Sequence, residues 1–130
     1  MLISITCRVS AVVDEHYRSF SHNRALDAVM RVVRDANSFI QSHQPWMLAK
    51  SRDREALECT LHVGLETARV AALALSPVTP GLSRRILERL GCHPTECMRQ
   101  HMSSSVAGGR RLGPDTGALF SRRLRSPAVM

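Results

Sequence analysis

Lysine is almost missing from this chain of 130 residues: Lys50 stands alone against seventeen arginines. Aromatic residues are also scarce at 4%, with one tryptophan (Trp46) and one tyrosine (Tyr17). A core must then be assembled from leucine, valine, alanine and methionine, which suits packed helices better than a β-sandwich. Long hydrophobic runs are lacking too. The apolar opening Met1–Cys7 is stopped by Arg8, and the run from Val70 to Leu75 is far shorter than the roughly 20 residues a spanning helix needs. Neither a signal-peptide pattern nor a membrane span is expected, so the sequence reads as a soluble protein. The four cysteines, Cys7, Cys59, Cys92 and Cys97, form no disulfide framework, and reduced thiols in an intracellular compartment are expected.

Acidic residues are few, 11 against 18 basic ones, for a net charge of +7. From Arg99 to the end there are six arginines and one acid, a net of +5, so most of the excess lies in the tail. Such a balance favours polyanion partners, because arginine contacts phosphate bidentately and stacks on bases. The arginine bias on its own can also follow from genomic base composition.

The length fits one domain, or a smaller domain with a tail, and a modest core. Residues 1–20 show no clear period, although Val12, Val13, Tyr17 and Phe20 fit the end of a helix; this segment is expected to be the remnant of one. Residues 21–91 carry the helical pattern. Between Asn23 and Gln41, Leu26, Val29, Met30, Val33, Asn37 and Ile40 recur at steps of three and four and predict one buried stripe. Ser21 or Asn23 can cap its start, and Pro45 stops it or forces a turn before the next element. A second helix is predicted from Asp53 to Leu75, capped by Ser51 or Asp53, ended by Pro77, with Leu57, Leu61, Leu65, Ala68, Ala72 and Leu75 inward. Gly64 and the alanines leave room for another helix to come close. A short third helix follows Thr79-Pro80, with Leu82, Ile86, Leu87 and Leu90 inward and Gly91 closing it. No β-alternation is visible, and the expected fold is an all-α helix bundle. Residues 92–130 read as a basic, irregular tail.

Catalytic constellations are absent: no nucleophile–base pair, no paired carboxylates and no phosphate-cradling glycine loop. Cys92, His93, Cys97 and His101 are suitable zinc ligands by type, but their spacing matches no common finger, and no metal is expected. Asn37 on the apolar stripe is expected to make an interhelical hydrogen bond. Arg69 is expected to form a salt bridge or to snorkel. Arg84 and Arg85 read as a solvated face able to touch phosphate. For Pro45-Trp46 residue chemistry leaves two readings. Either the indole plugs the bundle end with its N–H on a carbonyl, or it offers a stacking face to an unpaired RNA base.

The block Asn37-x-Phe39-Ile40-x4-Pro45-Trp46-x2-Ala49-Lys50 resembles the anticodon-binding domain of methionyl-tRNA synthetases. Leu65-Glu-Thr-Ala-Arg69-Val70, Leu75-Ser-Pro77-Val-Thr-Pro80 and Ile86-Leu-Glu-Arg-Leu90-Gly91 match the same family. The tail from Gly109 to Phe120 is similar to the C-terminus of the vertebrate mitochondrial form. The resemblance covers about residues 14 to 125 and implies a helix bundle of the class I anticodon-binding type, incomplete at its N-terminus. It implies that Trp46 packs on the first base of the methionine anticodon and that Pro45 shapes the turn presenting it. Lys50, Arg84 and Arg85 are candidate phosphate contacts. An earlier helix, whose Asn and Arg also read the anticodon in that family, has no counterpart, since Asn23-Arg24 lacks its spacing. Nor is there a His-x-Gly-His-like or Lys-Met-Ser-Lys-Ser-like motif, the elements that hold ATP.

The resemblance therefore implies the tRNA-binding part of an ATP-dependent methionine–tRNA ligase of the mitochondrial matrix, without cofactor and inactive in charging by itself. Methionine tRNA is the implied partner; no membrane and no oligomer are implied. The alternative is a catalytically inert helical interaction fragment that binds polyanions without specificity.

Overall fold

The computed structural model of the chain describes residues 2–92, with side chains from Arg8 onward, and residues 112–113. Five α-helices follow one another: α1 (Leu2–Arg18), α2 (His22–His43), α3 (Pro45–Ser51), α4 (Arg54–Leu75) and α5 (Pro80–Arg89). The all-α expectation holds, and no strand occurs among the described residues. The predicted count of three helices does not. The opening segment forms α1, and at Pro45 the turn expected before the next element is found: α2 ends, Gln44 turns the backbone, and Pro45 opens the short helix α3.

The long helix α4 is the common support: α1, α2, α3 and α5 all pack on it, and α1 also packs on α2. The core joins Val13 of α1, Ala25 and Val29 of α2, Val70 to Ala74 of α4 and Leu87 of α5. Small side chains set the spacing. A Cβ built on Gly64 would lie 3.2 Å from the Ile40 Cδ1 of α2, tighter than ordinary contact, so the glycine lets these helices approach. As expected from the composition, aliphatic side chains fill the interior, and Tyr17 only edges it.

Two predicted faces are corrected. On α2 the buried residues are Ala25, Val29, Val32 and Ala36, whereas Met30, Val33 and Asn37 are exposed. The stripe is rotated toward the alanines, because the close partner helix rewards small residues over large ones. Asn37 therefore makes no interhelical bond. On α4, Leu61 and Leu65 are 47% and 41% exposed, while Thr60, Val63, Thr67 and Val70 are buried. Ala72 is buried as expected, with Leu57, Ala68 and Leu75 at the margin.

Polar groups inside α4 are paired. The Arg69 guanidinium donates to both Glu66 carboxylate oxygens, at 2.6 and 3.1 Å, with side chains only 3% and 10% exposed. The salt bridge expected of Arg69 is thus present, and it is internal. Tyr17 donates its hydroxyl to the Ala74 carbonyl oxygen at 2.9 Å, satisfying one of the carbonyls that a helix C-terminus leaves open. Burial pushes the Tyr17 phenol pKa upward.

The helix ends explain the turns. Asp53 caps α4 by accepting the Ala56 N–H at 3.2 Å. Ser21 and Thr79 occupy the caps of α2 and α5 without a side-chain cap bond. Gly91, at φ 69°, ends α5 in a Schellman motif, with Cys92 N–H on the Leu87 carbonyl and Gly91 N–H on that of Glu88, each at 3.0 Å. Gly113 then donates to the Arg89 carbonyl at 2.8 Å, and a Cβ there would collide with the Glu88 carbonyl oxygen. The end of α1 has the same 6→1 and 5→2 bonds, Ser21 to His16 and Phe20 to Tyr17, but the left-handed residue is Phe20 at φ 57°.

Two stability predictions follow from these contacts. Arg69→Met leaves the Glu66 carboxylate buried without its partner and is expected to lower unfolding free energy by about 3–5 kcal/mol, measured by urea denaturation. Phe20, 85% exposed, has little packing to lose. Phe20→Gly is expected to raise stability by about 0.5–1 kcal/mol by removing the left-handed strain, seen as a higher denaturation midpoint with unchanged slope.

Candidate nucleic-acid interface

The corner between α2 and α4 is built around two left-handed residues. Gln44, at φ 44° and ψ 66°, ends α2 and begins α3; Arg52, at φ 60°, ends α3. Neither is glycine, so the backbone is held there against its preference. Pro45 occupies the first helical position, where its missing N–H loses nothing and its fixed φ suits the helix. The Met47 and Leu48 N–H groups both donate to the Gln44 carbonyl, at 2.8 and 3.2 Å.

With 7 residues and none of them buried, α3 is too short to be stable by itself. Its contact with α4 holds it, through the half-buried Pro45 and Leu48. Trp46 is left 48% exposed and Met47 50%. The plug geometry is not seen: the Trp46 indole makes no hydrogen bond among the described residues. Lys50 lies one turn beyond Trp46 and is exposed, so the two share a helix face at the i, i+4 spacing. Arg52 and Arg54 add positive charge next to it. Arg54 is already engaged by the Glu58 carboxylate at 2.6 Å, whose hydrogen bond and charge raise the guanidinium pKa.

Pro45, Trp46 and Lys50 are therefore brought together on one surface. Arg84 and Arg85 are exposed on α5, but α5 is joined to the other end of α4, a helix of 22 residues and so about 33 Å long. The five candidate residues do not make one compact site. The cluster of Cys92, His93, Cys97 and His101 lies outside the described residues except for Cys92, a half-buried side chain packed beside the core. The basic tail likewise lies outside them, apart from residues 112–113.

Sequence reading passed over one feature at this corner. Phe39 and His43, four residues apart in the last turns of α2, stack with ring centroids 4.0 Å apart and 31° between planes. The i, i+4 spacing of two rings just before Pro45-Trp46 was the available signal.

The comparison with family models returns no match. Individual relatives are clear. The chain is 42% identical over 131 aligned residues to the mitochondrial methionine–tRNA ligase of Bos taurus. It is 39% identical to that of Homo sapiens, with 93% of the chain covered in both cases. A methionine–tRNA ligase of Mycobacterium tuberculosis is 33% identical over 105 residues, 78% of the chain. The chain spans about a fifth of its mitochondrial relatives' length, 22%. In sequence, this helical chain is similar to a part of aminoacyl-tRNA synthetases. In particular, the chain is homologous to a C-terminal region of the mitochondrial methionine–tRNA ligases.

One optical consequence of the corner is direct. As the sole tryptophan, Trp46 is expected to show red-shifted fluorescence and efficient acrylamide quenching in the folded protein. A blue-shifted, protected emission would mean that the indole is buried.

Proposed function

We propose that the chain is the tRNA anticodon-binding part of a mitochondrial methionine–tRNA ligase, with Trp46 as the base-stacking residue. The observation that carries this is a half-exposed tryptophan with no internal hydrogen bond, fixed on a surface helix by Pro45 and followed one turn later by Lys50. Spending a backbone turn and the chain's one indole on solvent makes no sense for packing. It suits an unpaired base, where stacking contributes about 1–3 kcal/mol per base. Lys50 is placed for a neighbouring phosphate, while Arg84 and Arg85 serve a more distant stretch of backbone. On this reading the partner is methionine tRNA, and the ATP-dependent esterification belongs to the longer ligase in the mitochondrial matrix, not to this segment alone.

The experiment compares binding of methionine tRNA carrying its CAU anticodon with an anticodon mutant, for wild type and Trp46→Ala. Wild type is expected to prefer the CAU form, and Trp46→Ala to lose about tenfold in affinity together with most of that preference. Equal binding in all four combinations sinks the proposal. The net +5 of the residues from Arg99 onward favours a second reading, an inert helical interaction fragment with non-specific polyanion binding. That reading predicts affinity falling steeply with salt and indifferent to anticodon sequence.

A further inference from the structure

Beside Trp46 the same corner carries a second aromatic surface. His43 lies tilted against Phe39, with 4.0 Å between centroids and 31° between planes, a contact even closer than the usual spacing of about 4.5–7 Å between aromatic rings. Its orientation is fixed from the backbone side. Nδ1 is 2.9 Å from the Phe39 carbonyl oxygen, which can only accept, so Nδ1 carries the proton and donates. In the neutral ring Nε2 is then an acceptor, and no hydrogen bond engages it among the described residues. His43 is exposed and Phe39 half-buried, so the pair is a rigid platform backed by the helix and open on its outer side. His43 and Trp46 are three positions apart, a span of at most about 11 Å along the chain, with the left-handed Gln44 turning the backbone between them.

We propose that the Phe39–His43 stack is a second base platform, seating the unpaired base next to the one on Trp46. This rests on the RNA-binding reading of the corner and adds a subsite to it. Successive unpaired bases need successive flat faces, and each face is tolerant of base identity. The free Nε2 adds a preference. As an acceptor it pairs with an exocyclic amino group, favouring adenine or cytosine over uracil, which offers only carbonyl acceptors along most of its edge. For a CAU anticodon with its first base on Trp46, the neighbouring base is the adenine.

The test uses the full chain and RNA hairpins with a CAU loop, either intact or made abasic at the first or the second anticodon position. Wild type, Trp46→Ala, His43→Ala and His43→Phe are compared, each checked for native helix content by circular dichroism. His43→Ala is expected to weaken the intact hairpin about tenfold and to leave binding of the hairpin lacking the second base unchanged. His43→Phe restores most of the affinity but not the preference for adenine over uracil at that position. Trp46→Ala shows the complementary pattern, insensitive only when the first base is missing. If His43→Ala matches wild type on the intact hairpin, or loses the same factor on all three, the second platform is refuted while the Trp46 reading stands. If Trp46→Ala binds every hairpin as wild type does, the RNA-binding reading falls and this proposal falls with it.

Discussion

Everything in this bundle hangs on the enclosure of α4 near its C-terminal end. Val70 to Ala74 are buried in succession, so this stretch has no solvent face. Such enclosure is possible only because three of the five are alanines, which let α1, α2 and α5 close in together. The arrangement leaves little room for error. Protein interiors are packed like crystals, and a side chain added between helices this close must displace a neighbour. The two polar devices of the region, the Glu66–Arg69 pair and the Tyr17 hydroxyl on the Ala74 carbonyl, lock α4 from within and tie α1 to its end.

That lock sets where the corner carrying Trp46 can be. With α2 and α4 held at the Ile40–Gly64 approach, the chain between them has to turn within a few residues. It does so by bending through left-handed Gln44, running about two turns as α3, and bending again through Arg52. Backbone held in a disfavoured region persists only where surrounding structure dictates it, and such places gather at functional sites. Here the two bends raise α3 off the bundle as a ledge, with Pro45 and Leu48 against α4 and Trp46, Met47 and Lys50 outward.

Much of this was legible from residues. The proline, the capping aspartate, Gly64 and the closing Gly91 each marked a true helix end or contact, because each acts through local backbone chemistry. The faces were harder to read. Leu61, Leu65, Met30 and Val33 weigh heavily in any count of apolar spacing, yet the helices turn their alanines and threonines inward. Burial follows the distance between helices, which depends on tertiary packing and cannot be seen in one helix's period. Asn37 was misplaced for the same reason. At the corner, Pro45 marked the end of α2 and the turn to the next element, but not that this element is a helix beginning on the proline itself, because proline breaks helices from within and begins them at a first position. The Phe39–His43 stack was hidden by attention to Trp46, although its i, i+4 spacing was plain in the sequence.

The corner is energetically separate from the core. None of the residues of α3 is buried, and Trp46 gives no hydrogen bond to the bundle, so little of the core's free energy passes through it. The core in turn depends on residues far along α4 from the ledge. A binding surface mounted in this way can change its aromatic faces and cations with little penalty to the scaffold, whereas Arg69, Ala72 or Leu73 cannot change without loosening every helix around them. This separation gives substitutions at Trp46 and His43 their meaning. In a protein that keeps its helices, a change in binding on substituting these positions would report on the contact made there and not on the stability of the scaffold.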